Sequence, residues 1–290
     1  MDGREHSGHR KRAAVKPTGG PSPVVRLRDA GLSFGGRTLW KNLDLDINPG
    51  EFLAVLGPNG SGKTSFLKVL LGLQPLSGGT VTVNGRTVHR GSRDIGYIPQ
   101  QKSFSPGTPL RGRDLVGLGV DGDRWGLRLR RAPVRRKVDR LLDQVGALPY
   151  ADEPVGRLSG GELQRLRAAQ ALATNPDLLL CDEPLLSLDL HHQQAISSLI
   201  ERRCHRDGSA VVFVTHEINP VIDYVDRVLY LAGGQFRTGT PAEVLRSDVL
   251  SEMYGSRVEV LRSHGRIVVL GIPDATTHHH GESEGDLGPA

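Results

Sequence analysis

The chain has 290 residues, a formal net charge of +5 and a hydrophobic fraction of 37%, values typical of a folded globular protein. No run of about 18 consecutive apolar residues occurs, which argues against a membrane-spanning helix. The two cysteines, Cys181 and Cys204, are too few for a disulfide framework, so we expect a reducing, cytoplasmic environment.

The excess positive charge lies in two segments. The first 16 residues carry five basic side chains without apolar periodicity, so residues 1–23 are expected to be a disordered basic tail. Residues 124–140 carry eight Arg or Lys residues against Asp139 alone, and apolar residues repeat with helical spacing across residues 134–145. This second run is either the solvated back of a helix or a contact with a partner or an anionic membrane surface.

Apolar strands alternate with helices along most of the chain, which predicts an α/β fold. Residues 102–157 are less regular and arginine-rich, and predict an inserted, mostly helical subdomain. Thr240, Pro241 and Glu243 have the spacing of a capping box with proline at the first helical position. Strands are predicted near residues 24–29, 43–47, 52–56, 79–85, 94–100, 178–181, 210–214 and 228–236, and helices at 65–71, 162–173 and 190–206.

A glycine-rich segment follows the strand predicted at 52–56. Residues 57–64 read GPNGSGKT and match the phosphate loop G-x-x-x-x-G-K-[ST] between a buried strand and a helix. Backbone N–H groups of such a loop surround a phosphate, while Lys63 can reach the β/γ oxygens and the Thr64 hydroxyl can bind Mg²⁺. The chain is therefore predicted to bind a nucleoside triphosphate. The predicted ligands are Gly57, Pro58, Asn59, Gly60, Ser61, Gly62, Lys63, Thr64 and Ser65.

Two adjacent carboxylates, Asp182 and Glu183, end the apolar strand at 178–181. Side chains at the carboxyl end of a strand leave the core where α/β sheets place their ligands. Asp182 is predicted to hold Mg²⁺, and Glu183 to accept a proton from an attacking water. The alternative, a strand that merely ends in acidic turn residues, is disfavoured by the phosphate loop.

A second glycine-rich helix start lies at residues 158–162, LSGGE. Ser159 and Glu162 have the spacing of a plain capping box, but a cap does not require Gly160 and Gly161, which allow close backbone approach to an anion. If both helix starts engage one triphosphate, two copies of the chain must face each other.

Together these motifs resemble the motif set of ABC transporter ATP-binding subunits over residues 24–236, with GPNGSGKT, the glutamine of DIGYIPQ, LSGGE, LLLCDEP, SLD and the Thr-His after VVFV in order. The resemblance implies a P-loop NTPase core with a RecA-like sheet and flanking helices, an antiparallel β subdomain and an inserted helical subdomain. It assigns an ABC ATPase domain to residues 24–256. Beyond this domain, residues that alternate around Ser263, His264 and Gly265 predict a β-hairpin extension at 257–273, and the polar, acidic residues 274–290 are expected to form a disordered tail.

The resemblance also implies roles for individual residues. Gln100 senses Mg²⁺ and the lytic water, His216 contacts the γ-phosphate, and Asp189 crosses the dimer interface. Phe34 stands where the family stacks an aromatic on adenine, usually a tyrosine; the alternative is a core phenylalanine. The segment comprising Ser159, Gly160, Gly161 and Glu162 would bind the nucleotide of the partner subunit.

Several stretches, among them CDEPLLSLDLHHQ and FVTHEINPVIDYVDRVLYL, look like the ATPases of bacterial manganese/zinc-type importers. That resemblance implies an ATPase that uses ATP and Mg²⁺, pairs with a second copy, and joins transmembrane permease subunits on the inner face of the membrane. A solute-binding protein would be an indirect partner, and no nucleic acid is expected. The alternative is a soluble ABC ATPase acting in assembly or nucleic-acid metabolism.

Two groups of histidines, at residues 191–192 and 278–280, do not identify the transported metal. His191 and His192 are expected to be surface residues on a helix, and residues 278–280 to belong to a flexible tail. Under the importer hypothesis, the basic run at 124–140 becomes a candidate contact with the permease or with anionic lipid headgroups.

Overall fold

Three β-sheets organise residues 22–100, 103–122 and 131–271, the parts of the chain that the computed structural model describes. The predictions for both tails, for the histidines at 278–280 and for the arginines at 124–130 lie outside these residues. The strands are β1 (Val25–Phe34), β2 (Arg37–Ile47), β3 (Phe52–Leu56), β4 (Gly78–Val83), β5 (Arg86–Thr87), β6 (Ile95–Ile98), β7 (Leu178–Asp182), β8 (Ala210–Val214), β9 (Arg227–Ala232), β10 (Gln235–Gly239), β11 (Val258–Ser263) and β12 (Arg266–Gly271). The helices are α1 (Lys63–Leu70), α2 (Gly112–Asp121), α3 (Arg131–Gln144), α4 (Gly160–Ala171), α5 (Leu190–Glu201), α6 (Pro241–Val244) and α7 (Ser247–Tyr254).

The central sheet has six strands in the order β10-β9-β3-β8-β7-β6, and all neighbours are parallel except β9 and β10. Strands β3, β7 and β8 are buried along their whole length, as expected for a parallel sheet covered on both faces. Phe52, Ala54 and Leu56 join the core on one side of β3, whereas Leu53 and Val55 join the core on the other. The strand alternation thus supplies two hydrophobic cores.

The antiparallel sheet, in the order β2-β1-β4-β5, covers one of these cores together with α1. Trp40 of β2 is fully buried there and meets the ring of Phe66 of α1 edge to face at a centroid distance of 6.1 Å. This packing fixes the start of α1 relative to the sheet, because Trp40 also lies directly beneath Gly62.

Helices α2, α3 and α4 pack together on the other face of the central sheet. On α3, Val138, Leu141 and Leu142 are buried, which confirms the apolar face that the sequence predicts. Arg113 of α2 pairs with Asp139 of α3 and with Asp152, holding these elements together at the surface. The exposed back of α3 carries the arginines.

The structure differs from the predicted elements in two places. The helix expected at 190–206 is α-helical only to Glu201 and continues as a π-helical turn, Arg202–Arg206. Helix α7 was not predicted, because it is short and buries only Leu250 and Met253. The helix start predicted at Thr240 is confirmed, since Thr240 caps α6, which has four residues and Pro241 at its first position.

Strands β11 and β12 form a separate two-stranded hairpin after α7. The side-chain amide of Asn219 receives the N–H of Ile267 at 2.8 Å and donates to its carbonyl at 2.9 Å, which anchors the hairpin to the loop after β8. In the described part of the chain, no helix is long and apolar enough to span a bilayer.

Candidate functional site

The phosphate loop, residues 57–64, connects the carboxyl end of β3 to α1 and depends on two glycines with positive φ. A Cβ on Gly57, at φ +139°, would lie 2.0 Å from the carbonyl oxygen of Leu231. A Cβ on Gly62, at φ +102°, would lie 3.1 Å from Nε1 of Trp40. Only glycine allows the loop to run this close to β9 and β2.

Lys63 is buried at the start of α1 and points back into the phosphate loop. Its Nζ donates to the carbonyl oxygens of Gly57 at 2.7 Å and Pro58 at 3.0 Å. Burial lowers the pKa of Lys63, while the charges of Glu183 and Asp182 act in the opposite direction. The ammonium group therefore lies inside the loop, between its carbonyls and the two carboxylates.

Asp182 ends β7 as a buried carboxylate with two hydroxyl neighbours. The Thr64 hydroxyl donates to Oδ1 at 3.4 Å, and the Tyr97 hydroxyl donates to Oδ2 at 3.3 Å. Burial raises the pKa of Asp182, and burial beside this carboxylate raises the pKa of Tyr97 to about 12. Threonine and aspartate oxygens from two different elements thus meet at one point, as the sequence predicts.

Glu183 follows Asp182 with φ at +46°, a region that non-glycine residues rarely adopt and that is common at functional sites. Its backbone N–H donates to the carbonyl of Val214 at 2.9 Å, which holds the strained residue against β8. Its Oε2 lies 2.8 Å from Nδ1 of His216, whose ring is half exposed. The structure therefore places Glu183 and His216 side by side, next to Asp182 and Lys63.

The segment at 159–162 begins α4 as a complete capping box. The Ser159 hydroxyl accepts the N–H of Glu162 at 3.3 Å, and Glu162 Oε2 accepts the N–H of Ser159 at 2.8 Å. Ser159 remains exposed and Gly160 half-buried, whereas Gly161 is buried against the ring of His192. The capping box that the spacing allowed is thus formed, and Ser159 is the exposed residue of this helix start.

Gln100 has an exposed side chain at the end of the segment that follows β6. Its carbonyl accepts from Nη1 of Arg167 at 3.3 Å, and the carbonyl of Pro99 accepts from Nε2 of Gln164 at 3.4 Å. Both donors belong to α4 and are buried, and burial lowers the pKa of Arg167. Helix α4 therefore holds the backbone at Gln100, next to β7.

Sequence reasoning missed Gln164, Arg167 and Tyr97. The first two lie three residues apart on the face of α4 that also buries Leu163 and Leu166, so two polar residues at i and i+3 within an apolar stripe were the available signal. Tyr97 alternates with buried residues of β6 and gave no signal of its own.

Phe34 and Asp189 are both exposed at the surface. Phe34, at the tip of the β1–β2 hairpin, is 50% exposed, which excludes the core alternative. Asp189 is also exposed and accepts the N–H of His192 as the N-cap of α5.

A groove of about 580 Å³ opens beside the phosphate loop. Its lining includes residues 57–59 and His216, together with Ile267 and Val269 of β12. The C-terminal hairpin thus borders the same surface as the phosphate loop.

A family model described as "ABC transporter" matches residues 40–186, half of the chain and the part that carries the phosphate loop, Asp182 and Glu183. The chain belongs to the ABC transporter family. It is an ATPase of that family and binds ATP, and its fold is the P-loop NTPase fold that the sequence predicts.

Individual relatives support this membership over nearly the whole ABC ATPase. The zinc import ATP-binding protein ZnuC 1 of Hahella chejuensis is 34% identical over 82% of this chain and 86% of its own length. The zinc import ATP-binding protein ZnuC of Pseudomonas fluorescens is 31% identical over 91% of this chain and 90% of its own length.

Solved structures agree with the fold of this ABC ATPase. One chain belongs to a transporter assigned to the metal-chelate type of ABC transporters, in an inward-facing conformation. It is 26% identical, covers 88% of this chain and 99% of its own, and has a TM-score of 0.73. A dimeric ATP-binding cassette bound to ADP and Pi is 28% identical over 74% of this chain and 98% of its own, with a TM-score of 0.65.

Proposed function

We propose that this ABC ATPase is the motor of a metal-ion importer. Two copies bind ATP, close, and move transmembrane permease subunits on the inner face of the membrane, and hydrolysis lets the copies separate. The observation that carries the chemistry is the convergence of Lys63, Asp182, Glu183 and His216 at the carboxyl edge of the central sheet.

The residues of the phosphate loop fit a triphosphate. Lys63 would exchange its bonds to the carbonyls of Gly57 and Pro58 for phosphate oxygens, because a buried ammonium gains more from an anion than from neutral carbonyls. The remaining contacts would come from backbone N–H groups of residues 60–65 at the helix start, where the dipole favours negative charge.

Mg²⁺ fits the donors at Asp182. The Thr64 hydroxyl and the Asp182 carboxylate are hard oxygen ligands within 3.4 Å of each other. Gln100, in the segment after the neighbouring strand β6, would add an amide oxygen. When bound, the ion would neutralise charge on the phosphoryl oxygens. Tyr97 keeps the second carboxylate oxygen of Asp182 in place.

Glu183 would orient the attacking water and accept its proton. His216, held at 2.8 Å from Glu183 Oε2, would contact the γ-phosphate with its other ring nitrogen. Most of the rate would come from positioning and electrostatics, because phosphoryl transfer needs little covalent participation by the protein.

A second identical copy would complete each site. Ser159 and Asp189 are exposed at the starts of α4 and α5, where a partner can reach them, and Phe34 is exposed at its hairpin tip for stacking on adenine. The dimeric cassette among the similar structures supports this arrangement.

The similar proteins favour zinc as the transported ion. Both relatives are named zinc import ATP-binding proteins, and one similar structure belongs to the metal-chelate type. These names do not favour a soluble assembly or nucleic-acid ATPase. A solute-binding protein would deliver the ion to the permease, outside this chain.

The exposed back of α3 is a candidate contact with the permease or anionic lipid. Arg135, Arg136 and Arg140 are exposed there, and each basic group near an anionic surface contributes about 1 kcal/mol. Neutralising Arg135, Arg136 and Lys137 should weaken membrane association and leave ATP binding intact, and unchanged association in a flotation assay would refute the contact.

The transport role is tested by uptake of radioactive zinc and manganese at limiting concentrations in cells that lack this gene. Restoring the wild-type chain or Lys68→Ala, which alters an exposed lysine of α1, should restore zinc uptake, and Lys63→Ala should not. Restoration of manganese uptake alone would reassign the ion, and uptake that never depends on the gene would refute the import role.

A further inference from the structure

His192 does not behave as the surface histidine that the sequence suggests. Its side chain is 26% exposed, and Nδ1 lies 2.8 Å from both carboxylate oxygens of Asp189. Because a carboxylate only accepts hydrogen bonds, Nδ1 carries the proton and donates to Asp189. His191, its neighbour, is exposed, and its ring centroid lies 5.8 Å from that of His192.

The same imidazole covers Gly161 on α4. A Cβ built on Gly161 would lie 2.4 Å from Cδ2 and 2.9 Å from Nε2 of His192, so the ring fills the space that any other residue would need. His192 therefore touches two separate helix starts, Asp189 at the N-cap of α5 and Gly161 in the first turn of α4.

The loop before α5 is held from the same turn of the helix. Nε2 of Gln193 donates to the carbonyl of Leu188 at 3.1 Å, and the backbone N–H of residue 192 donates to Asp189 Oδ1 at 2.9 Å. The hydrogen bonds from His192 lower the pKa of Asp189, which keeps its carboxylate charged and accepting. The backbone bond does not involve the side chain of His192, so substitution by alanine or phenylalanine removes imidazole contacts without removing the cap.

We propose that His192 is a positioning residue that ties the loop of Asp189 to the glycine loop at Gly161, so that both loops meet the second copy in one fixed arrangement. The proposal rests on the proposed function, because the two loops face a second copy only in the ATP-bound dimer. Without the imidazole, the carboxylate of Asp189 loses a charge-assisted hydrogen bond and the start of α4 loses its packing partner.

The test uses the full chain in two backgrounds, with Mg-ATP as the probe. In a Glu183→Gln background, which should accumulate the ATP-bound dimer, sedimentation measures the dimer dissociation constant, and titration at low protein concentration measures ATP affinity of the monomer. We expect His192→Ala to raise the dimer dissociation constant about tenfold, with monomer affinity and melting temperature unchanged. His191→Ala is the matched control and should change nothing.

A ring without a donor separates the two contacts. His192→Phe should retain the packing on Gly161 and recover part of the dimer affinity, and in the wild-type background steady-state ATPase activity should follow the same order. Loss of monomer ATP affinity or of melting temperature to the same extent as dimer affinity would overturn the proposal, because His192 would then be merely structural. If Glu183→Gln forms no ATP-dependent dimer, the proposed function fails. If it does and His192→Ala dimerises equally well, only the role of His192 fails.

Discussion

Helices α1 and α4 both have glycines at their starts, yet their first turns are built in opposite ways. Gly62 caps α1 in a left-handed conformation without any side-chain hydrogen bond, and no acid stands in the first turn. Ser159 caps α4 through a closed capping box with Glu162. The first helix start leaves its N–H groups to a ligand, whereas the second already satisfies two of its own.

This difference predicts that the two helix starts bind phosphate in different ways. An uncapped helix start with a buried lysine can bind a phosphate by itself, because no side-chain carboxylate of the same helix start already occupies its N–H donors or neutralises its dipole. A capped start that carries its own carboxylate gains less from a phosphate. Under the proposed function, the start of α4 therefore binds a phosphate only when a second copy of the chain presents its nucleotide there. Substitutions at the two helix starts should therefore reduce ATPase activity to different extents.

The largest effect is expected from Lys63→Ala. Removing the buried ammonium should lower the ATPase rate by about 10²–10³-fold, since it removes a preorganised charge at the phosphate. Lys68→Ala, on the exposed side of the same helix, should leave the rate unchanged. Equal rates for the two variants in a phosphate-release assay would contradict the role of Lys63.

The next largest effect is expected from Gly57→Ala, which should lower the free energy of unfolding. The new Cβ would meet the carbonyl of Leu231 at 2.0 Å, so we expect a loss of about 3 kcal/mol or more in the free energy of unfolding. Gly60 also has a positive φ, but nothing lies within 4 Å of its Cβ position, and Gly60→Ala should cost about 1 kcal/mol. Urea denaturation of both variants measures the two free energies of unfolding, and their difference separates the steric clash at Gly57 from the backbone strain that both positions share.

Ser159→Ala should cost about 1 kcal/mol in the free energy of unfolding, because α4 loses its cap. Thr240→Ala, which opens the equivalent box with Glu243 on α6, should cost about as much. Only Ser159→Ala should also reduce ATPase activity, because the proposed function places the start of α4, and not that of α6, against the partner's nucleotide. Equal activity of the two variants would reduce Ser159 to a cap.

The smallest effect is a gain in stability from Asp182→Asn. Burial raises the pKa of Asp182, so the folded state favours the protonated carboxyl. The stability that this gives is fully present below the pKa that Asp182 has in the unfolded chain, and it is lost as the pH rises through the pKa that Asp182 has in the folded chain. Above the folded pKa of Asp182, the wild type carries a buried charge that the variant lacks. The variant should melt higher without nucleotide, and the gap should close in acid; a lower melting temperature at neutral pH would contradict this.

Much of the central sheet could be predicted because its strands are short apolar runs that end in glycine or acid, and the phosphate loop follows from spacing alone. The bounds of helix α2 within the predicted helical subdomain could not be predicted, since Gly112, Gly117 and Gly119 make its sequence look like a loop. A Cβ on Gly119 would lie 2.4 Å from the carbonyl of Gln170, so that glycine is there for close packing on α4. The contact between His192 and Gly161 joins residues 31 positions apart and has no local pattern.

The measurement that tests the central claim most directly is ATP binding and turnover by Glu183→Gln beside Glu217→Gln. Glu217 is an exposed acid one residue after His216 and serves as the matched control. We predict that Glu183→Gln binds ATP as tightly as the wild type, loses turnover and accumulates an ATP-bound dimer, while Glu217→Gln behaves as the wild type. Near-normal hydrolysis by Glu183→Gln would contradict the account.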